Sequence, residues 1–323
     1  LYDSKRVGMK LVYITGCLGF MGSHLTRKVL ERGWYVFGID NMTYAAQPKV
    51  LEEFKSYDNF SFNQTDINDL EFLYDCDYVI NTAAETHVGN SIVKNDQFVK
   101  SNVNGVHKIL NLIREYRTET QGAPLFIHFS TDEVYGDIKV GSFKETQILC
   151  PSNPYSATKA AADMFIHAWR RTYGTRHVIV RPTNNYGVGQ YVEKLIPKTI
   201  KYLKLGRKIP LHNQGTPVRT WLHAKDTAEA ILAIIDSNVE NETYNISGNY
   251  EDTNLNVVKK IIDLVIPDGD YEKHLDLGIV RAGQDVRYSI NDSKLKSLGW
   301  KPRCDFDSEL KEIAEYYSNN FIW

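Results

Sequence analysis

The chain has 323 residues, more than most single domains, and its 42% hydrophobic and 24% charged residues are typical of a globular protein with a large core. A formal net charge of -2 argues against a protein that coats nucleic acid, and no apolar run reaches the roughly 20 residues that a membrane-spanning helix needs. The four cysteines are scattered without a CxxC pair. We therefore expect reduced thiols, a cytoplasmic location and no metal site.

Short apolar runs alternate with helical patterns through the first 180 residues. This alternation predicts an α/β fold, with a Rossmann-type, doubly wound parallel sheet. Residues 1–8 precede the first strand, and we expect them to be a loose leader without function. The predicted strands are 11–15, 35–39, 60–62, 78–82, 125–129 and 178–180, and the predicted helices are 21–31, 50–56, 98–116 and 157–173.

The regular alternation of strand and helix patterns ends after Pro182. Helices are predicted at 194–205, 225–237, 255–265 and 309–318, separated by segments rich in Pro, Gly and Asn. We predict a first domain over 1–185 with a returning segment at 211–247. Residues 186–210 and 248–323 are then predicted to form a smaller, mixed α/β lobe that binds the substrate.

A glycine-rich loop follows the first predicted strand. Gly16, Gly19 and Gly22 have GxxGxxG spacing and open the first predicted helix, where Phe20 and Met21 stand. Such glycines let the backbone approach a pyrophosphate, which the free amides and dipole of the helix then bind. The pattern alone would be weak. Its position between a strand and a helix predicts a dinucleotide site.

The next predicted strand ends in an acid, Asp40, 24 residues after Gly16. A carboxylate at this place accepts hydrogen bonds from the hydroxyls of the adenosine ribose. It would repel a 2'-phosphate, and no Lys or Arg occurs between residues 41 and 47 to offset it, so we predict NAD as the cofactor and not NADP. Further positions predicted to contact NAD follow the third and fourth strands: Asp66, Ile67, Ala83 and Ala84.

Two adjacent acids, Asp132 and Glu133, follow Thr131 directly after the strand at 125–129. Open parallel sheets hold ligands at this edge, and burial there can separate the pKa values of two carboxyl groups so that one donates a proton and the other accepts one. We interpret the pair as groups for an elimination reaction. Standing alone, it would be better explained as a cap on the following turn.

Tyr155 and Lys159 are four residues apart at the start of a predicted helix, so they share one face. A nearby ammonium, together with a positively charged nicotinamide, would lower the pKa of the phenol and make Tyr155 a base for a substrate hydroxyl. Thr131 is predicted to hydrogen-bond the same hydroxyl. A YxxxK spacing is common on helices, and only its combination with the glycine loop makes it informative.

These motifs resemble the extended short-chain dehydrogenase/reductase family, whose members act mostly on nucleotide sugars. The segments STDEVYGD at 130–137, PYSATKAAAD at 154–163, RPTNNYG at 181–187 and EKLIP at 193–197 are most similar to the dTDP-glucose 4,6-dehydratases within it. The resemblance implies a nucleotide-diphospho-glucose 4,6-dehydratase with bound NAD, acting on dTDP-glucose or UDP-glucose. It also implies a homodimer formed through the helices predicted at 98–116 and 157–173.

The resemblance implies roles for further residues. Thr131, Asp132, Glu133, Tyr155 and Lys159 would be catalytic, with Asp132 protonating the departing C6 hydroxyl and Glu133 removing the C5 hydrogen. Arginines suit the diphosphate because their guanidinium groups match phosphate oxygens. The residues implied to bind the substrate are Thr86, Asn184, Glu193, Lys194, Leu195, Arg219 and Arg287.

The chain departs from the family pattern near the substrate. HVGNS replaces HVDRS at 87–91, GVGQYV replaces the usual start of the segment at 187–192, Cys17 stands for a frequent glycine and Gln284 for a frequent histidine. These changes leave the chemical groups in place, and the nucleotide base stays open. The alternatives are a UDP-sugar 4-epimerase or decarboxylase, which the resemblance implies would lack Asp132, and a binding module without activity.

Overall fold

The computed structural model describes residues 9–120, 122–281 and 284–320; the leader predicted for residues 1–8 lies outside them. The first part of the chain alternates strands and helices as predicted. Its elements are β1 (Leu11–Thr15), α1 (Phe20–Glu31), β2 (Tyr35–Asp40), α2 (Pro48–Lys55), β3 (Phe60–Gln64), β4 (Tyr78–Asn81), α3 (Val88–Val93), α4 (Asp96–Phe98), α5 (Gly105–Thr120), β5 (Leu125–Phe129), α6 (Pro154–Tyr173) and β6 (His177–Pro182).

The second part contains the predicted helices and several short strands that the sequence patterns did not indicate. Its elements are β7 (Asn184–Tyr186), α7 (Leu195–Lys204), β8 (Ile209–His212), β9 (Val218–His223), α8 (Ala224–Asp236), β10 (Glu242–Ile246), β11 (Tyr250–Thr253), α9 (Asn254–Val265), α10 (Tyr271–His274), β12 (Leu275–Ile279), α11 (Ser293–Lys296) and α12 (Phe306–Asn319).

Seven parallel strands form the main sheet in the order β10-β6-β5-β4-β1-β2-β3. The register aligns Thr15 of β1 with Asn81 of β4, and Asn81 with His128 of β5. The carboxyl ends of these strands therefore meet at one edge of the sheet, where open α/β sheets bind ligands. The predicted Rossmann-type doubly wound sheet is confirmed.

Apolar side chains cover both faces of this sheet. On one face Leu25 and Val29 of α1 pack with Ile231 of α8, and on the other Ile109 of α5 packs with Ile166 of α6. A parallel sheet with helices on both sides needs strands that are buried throughout, and every residue of β1 and β5 is buried. The core thus fixes the sheet edge that carries the candidate site.

The helix predicted over 98–116 is interrupted. A wider helical turn at Val99–Asn104 joins α4 to α5, and wide turns of this kind are frequent at functional sites. Inside this turn the buried Asn102 bonds the backbone of Glu85 through both its oxygen and its nitrogen, and its nitrogen also donates to the Thr158 hydroxyl. The turn therefore connects the loop after β4 to the helix of Tyr155 and Lys159.

A separate cluster of apolar residues lies in the second part of the chain. It is built from α7, α9 and α12 around two small sheets, β11-β9-β7 and β12-β8. By contrast, β10 pairs with β6 in the main sheet, and α8 packs with α1 against that sheet. Residues 224–246 are therefore part of the structure around the main sheet. The domain boundaries proposed from the sequence stay a prediction. Among the described residues, no helix combines the length and the apolar character that crossing a bilayer requires.

Candidate active site

The loop between β1 and α1 has a backbone that requires glycine. Gly16 has a φ of +71°, and a Cβ on Gly22 would lie 1.9 Å from the carbonyl oxygen of Gly16. A side chain at either position would push the loop and the first turn of α1 apart. The predicted glycines therefore hold the backbone in the close turn that a pyrophosphate needs.

Asp40 ends β2 beside this loop, as the sequence predicted. Its carboxylate accepts hydrogen bonds from the backbone N–H groups of Leu18 at 3.0 Å and Met42 at 2.7 Å. Burial raises the pKa of Asp40 above its ordinary value, and the two amides oppose that shift. Asp66 is also held, since it accepts from the backbone N–H of Asn68 at 2.9 Å. Both acids line one pocket with Gly16, Gly19, Ile67, Ala83 and Ala84.

A larger cavity of about 310 Å³ continues from the glycine loop to the catalytic segment and on to the second lobe. Most of the residues predicted for the site meet in it, although they come from six regions of the sequence. The predicted residues that line the cavity are Gly16, Gly19, Phe20, Met21, Gly22, Ala84, Thr86, Thr131, Asp132, Glu133, Tyr155, Lys159, Asn184, Glu193, Lys194 and Leu195.

Asp132 lies in a short helical turn after β5, where Thr131 caps the turn by accepting from the backbone N–H of Glu133. The Asp132 side chain is only 3% exposed, and its Oδ2 has no hydrogen-bond partner. Burial, aided by the charge of Glu133, raises its pKa from 3.8 to about 8, against the opposing charge of Arg219. Asp132 is therefore protonated at neutral pH and can donate that proton.

Glu133 stands in a different environment. It is half-buried, and its Oε2 accepts from the Asn153 amide at 3.3 Å and lies 3.3 Å from the Tyr288 hydroxyl oxygen. Tyr288 in turn donates to Asp285, and Ser152 donates to the same carboxylate. The two neighbouring acids thus differ in burial and in hydrogen-bond partners, and their separate roles as proton donor and acceptor stay a prediction.

The Tyr155 phenol hydrogen-bonds the Thr131 hydroxyl, so these two residues meet as predicted. The predicted lowering of its pKa depends on the charge of the nicotinamide as well as on Lys159, and it stays a prediction. Burial and the charges of Glu133 and Asp132 raise the pKa of Tyr155 above its ordinary value, against the Thr131 bond. Sequence spacing could show that Lys159 shares a helix face with Tyr155, but it could not show how deeply both groups are buried.

Lys159 is 2% exposed, and its ammonium donates to the carbonyl oxygen of Phe129 at 2.5 Å. It also lies 3.5 Å from Nε2 of His128. Burial lowers its pKa to about 8, while the charge of Asp163 acts in the opposite direction. Lys159 therefore has fixed partners on β5, and its cationic form is only moderately favoured at neutral pH.

The predicted substrate residues of the second lobe partly meet this site. Lys194 donates to the carbonyl and hydroxyl oxygens of Thr86, at 3.0 and 3.1 Å, and joins the loop after β4 to the start of α7. Burial lowers the pKa of Lys194, and the neighbouring Glu193 opposes that shift. Asn184, Glu193 and Leu195 line the same cavity wall.

The two predicted arginines have other partners. Arg219 is buried, lies over the Tyr288 ring at 4.3 Å, and donates to the Val218 and Asp285 carbonyl oxygens. Arg287 pairs with Glu251 at 2.9 Å and donates to the Gly141 carbonyl oxygen. Neither lines the cavity. Their contacts with a diphosphate stay a prediction.

Two residues near the acids, Tyr288 and Arg281, are not among the site residues predicted from the sequence. Arg281 is largely buried, its Nε has no hydrogen-bond partner, and it interacts electrostatically with Glu133. Burial lowers its pKa and the charge of Glu133 opposes that change. The signal available in the sequence was the cluster of polar residues from 281 to 288, from which only Arg287 was selected.

Although the sequence has no metal-binding spacing, the fold brings His223, Cys304 and Glu309 together. The Nδ1 of His223 accepts the backbone N–H of Lys225, so Nε2 carries the ring proton and donates it to Glu309 at 3.2 Å. Lys225 also pairs with Glu309. A metal ligand needs a free nitrogen whose opposite N–H is a donor, so this arrangement is a hydrogen-bonded network and not a metal site.

Comparison with known proteins gives one family. Residues 13–313 match the sequence profile of the family described as GDP-mannose 4,6 dehydratase. The dTDP-glucose 4,6-dehydratase of Haemophilus influenzae is 36% identical over 97% of this chain and 99% of its own length. The low-salt glycan biosynthesis protein Agl12 of Haloferax volcanii is also 36% identical, over 95% of this chain and 98% of its own.

Solved structures show the same similarity. The dTDP-glucose 4,6-dehydratase DesIV of Streptomyces venezuelae, determined with NAD bound, superposes with a TM-score of 0.88 and 32% identity, covering 96% of this chain and 97% of its own. A UDP-glucose 4-epimerase of Thermotoga maritima, determined with UDP-glucose, has a TM-score of 0.85 and 26% identity, covering 96% and 99%.

Proposed function

Because this chain belongs to the GDP-mannose 4,6 dehydratase family and contains two adjacent acids, the buried Asp132 and the half-buried Glu133, we propose that it is a nucleotide-diphospho-glucose 4,6-dehydratase. It converts dTDP-glucose or UDP-glucose into the 4-keto-6-deoxyglucose nucleotide and water. The curated relatives named dTDP-glucose 4,6-dehydratase support this reading over nearly the whole chain.

One observation carries the proposal. Asp132 has a free buried oxygen and a pKa of about 8, directly beside the half-buried, hydrogen-bonded Glu133. A protonated acid next to an acid that can accept a proton is what removal of water across two neighbouring carbons requires. An epimerase that only oxidises and reduces C4 has no use for this pair.

The residues of the glycine loop fit NAD. The close approach of Gly16 and Gly22 leaves backbone amides at the start of α1 for a pyrophosphate, and Asp40 holds a carboxylate where ribose hydroxyls would lie. Asp66 and Ala83 line the same pocket. Bound NAD would supply the oxidation at C4 of the sugar and the later reduction at C6, so that it is regenerated in each turnover.

Tyr155 and Thr131 act on the C4 hydroxyl. Their hydrogen bond places the phenol and the Thr131 hydroxyl on one side of the cavity, where both can reach the same substrate oxygen. Tyr155 accepts the hydroxyl proton as C4 becomes a ketone. The high pKa of the phenol means that this transfer needs a positive charge nearby, and Lys159 is the buried cation one helical turn away.

The two acids act on the neighbouring carbons. A ketone at C4 makes the C5 hydrogen acidic, and Glu133 removes it while the Asn153 amide holds its carboxylate. Asp132 gives its proton to the C6 hydroxyl, which leaves as water. Glu133 returns its proton to C5 during the reduction, and the proton that Tyr155 took from the C4 hydroxyl offsets the one that Asp132 gave to the departing water, so the reaction releases no net proton.

The second lobe binds the nucleotide end. Lys194 and Thr86 meet at the cavity wall and offer polar groups for the sugar and the phosphates. Arg281, with its unpartnered Nε, and Arg219, beside Tyr288, add two buried cations near the acids. A guanidinium that lacks a protein partner is suited to a diphosphate oxygen. These substrate roles are part of the proposal.

The direct test is incubation of the holoenzyme with dTDP-glucose and, separately, UDP-glucose. We expect a 4-keto-6-deoxy product from at least one sugar, without accumulation of NADH, identified by mass spectrometry and NMR. A C4 epimer or released carbon dioxide would instead identify an epimerase or a decarboxylase. Turnover of neither nucleotide sugar, with NAD bound, would contradict the proposal and leave a binding module.

We also propose a homodimer formed through α5 and α6. These helices pack side by side, and their outer surface carries the exposed Met164 and the half-buried Phe165 and Trp169. The Phe165 ring contacts His107 at a tilt, and the Trp169 ring contacts it edge-on. An apolar, aromatic surface on two neighbouring helices suits a four-helix contact between two copies. Light scattering should give twice the mass of the chain, whereas a monomer at micromolar concentration would contradict this.

A further inference from the structure

A fully buried histidine, His128, lies beneath the active site and takes no part in the proposed reaction. It stands on β5 one residue before Phe129, whose carbonyl oxygen accepts from Lys159. A row of polar side chains crosses three adjacent strands to reach it. Thr15 Oγ1 lies 2.6 Å from Asn81 Oδ1, and Asn81 Nδ2 lies 3.1 Å from His128 Nδ1.

The row ends at the catalytic lysine. Nε2 of His128 lies 3.5 Å from Nζ of Lys159, which is long for a hydrogen bond between nitrogen atoms. With the Asn81 nitrogen toward the ring, Nδ1 is an acceptor and the ring proton stays on Nε2. That N–H then faces the donors of the ammonium, and two donors facing each other explain the long contact.

The Asn81 amide can also take the opposite orientation. Its oxygen would then accept from Nδ1–H, its nitrogen would donate to the Thr15 hydroxyl, and Nε2 would present a lone pair to Lys159. Both orientations satisfy Thr15, Asn81 and the Nδ1 atom of His128, and they differ at Nε2. Only the second one pairs His128 with a charged lysine, while the first pairs it with a neutral lysine that accepts from Nε2.

We propose that His128 is a positioning residue for the proposed 4,6-dehydratase reaction, and that it holds the Lys159 ammonium through an unprotonated Nε2, with the Asn81 oxygen accepting from Nδ1–H and the Asn81 nitrogen donating to Thr15. Its kinetic consequences rest on the proposed function, but the tautomer itself does not. His128 adds no charge to the site. Because both of its tautomers are neutral, His128 can accept a hydrogen bond from the charged Lys159 and donate one to the neutral Lys159.

The surrounding charges favour this neutral role. Burial and the cations Lys159 and Arg181, on α6 and β6, lower the pKa of His128, so an imidazolium ring is excluded at neutral pH. The Lys159 ammonium has one acid acting on it, Asp163, which is already paired with Arg181. Asn81 on β4 is uncharged, and Tyr155 stands on the same helix as Lys159. A neutral acceptor at Nε2 therefore stabilises the ammonium against burial.

A kinetic test uses three replacements of His128 in an Asp132→Asn background, where oxidation at C4 can be followed alone and the second group with a pKa of about 8 is absent. Gln can place an amide oxygen near the position of Nε2, whereas Asn reaches only the position of Nδ1 and Phe offers no acceptor. We measure NADH formation in single turnovers against pH.

We expect His128→Gln to keep the rate and pH profile of its parent. His128→Phe and His128→Asn should lose roughly ten- to a hundredfold at pH 8, because losing a hydrogen bond to a charged group lowers the lysine pKa by about one unit or more. Oxidation would then be lost at lower pH. An equal loss in all three variants without a pH shift, or no loss in any, would overturn the proposal. No oxidation in the parent would instead count against the proposed function.

A second measurement does not depend on turnover. In the NAD-bound enzyme with ¹⁵N-labelled histidine, the ring signals of His128 can be assigned by their disappearance in the His128→Gln variant. We expect Nδ1 protonated and Nε2 free below pH 8, with a change of the Nε2 signal as Lys159 titrates. A ring that keeps its proton on Nε2 at every pH would overturn the proposal even in an active enzyme.

Discussion

The catalytic edge of the main sheet and the nucleotide end of the site are built in different ways. The catalytic edge takes its groups from two continuous segments, Thr131–Glu133 after β5 and Tyr155 with Lys159 on α6, each anchored to a buried strand or helix. The nucleotide end takes Arg219 from β9 and Arg281 from the loop after β12. These two arginines are 62 residues apart in sequence, and only tertiary packing brings them together.

The two regions are alike in one respect, since each has a buried polar atom without a hydrogen-bond partner. Asp132 keeps a buried oxygen without a partner at the catalytic edge, and the Nε of Arg281 has none at the nucleotide end. Arg287, by contrast, is fully engaged by Glu251 and Gly141. Buried polar groups without a partner are rare and costly, so they mark places where a ligand is expected. By this criterion Asp132 and Arg281 are the candidates for contact with a substrate, whereas Arg287 is held by protein partners.

The largest expected effect comes from removing both acids. Asp132→Asn combined with Glu133→Gln should reduce formation of the 4-keto-6-deoxy product about ten-thousandfold, since each group contributes a hundred- to ten-thousandfold as an acid or base. Oxidation at C4 should survive as a slow appearance of NADH. Glu52→Gln, on the exposed side of α2, is the matched control and should leave turnover unchanged. Product formation at the normal rate would show that Asp132 and Glu133 are not the acid and the base of the reaction.

Tyr155→Phe should have the next largest effect, about a hundred- to a thousandfold on the whole reaction. The ring stays in place, so NAD and nucleotide binding should persist while no NADH forms in single turnovers. Tyr271→Phe removes an exposed hydroxyl that bonds Asp263 and serves as the control. Oxidation of C4 by the Tyr155→Phe enzyme would show that another group is the base for the C4 hydroxyl.

The same contrast explains what the sequence could predict. Motif residues next to strand ends, such as Gly16, Asp40 and Asp132, were found because parallel strands must place their carboxyl ends together. Spacing does not show how deeply Tyr155 is buried, and that burial raises the pKa that the charges of Lys159 and a nicotinamide are predicted to lower. Arg281 and Tyr288 were missed because their place depends on packing between distant loops. The short strands β7 to β12, including β10 of the main sheet, are not among the predicted strands because three to six residues carry little periodicity.

Two matched substitutions test whether Arg281 or Arg287 binds the diphosphate at the nucleotide end. Arg281→Gln should raise KM for the nucleotide sugar roughly ten- to a hundredfold with little change in kcat, because it removes a charged donor for the diphosphate. Arg287→Gln removes a partly exposed ion pair with Glu251 and should change KM by less than about threefold. Initial rates over a range of sugar concentrations measure both. A larger effect from Arg287 would restore the prediction made from the sequence.

The smallest effect is on stability, and it isolates the burial of Asp132. Its pKa is 3.8 in the unfolded reference and about 8 in the fold, so folding takes up a proton between these values and the free energy of unfolding falls as pH rises from about 4 to 8. Asn cannot titrate. The advantage of Asp132→Asn over the native chain should therefore grow with pH across this window, by at most about 1.4 kcal/mol per pH unit. Urea denaturation at pH 5.5 and pH 7.5 compares the two proteins, with Asp263→Asn on the exposed side of α9 as the control. A difference independent of pH would mean that Asp132 is ionised in the fold, and the acid pair would then contain two bases and no donor for the departing water.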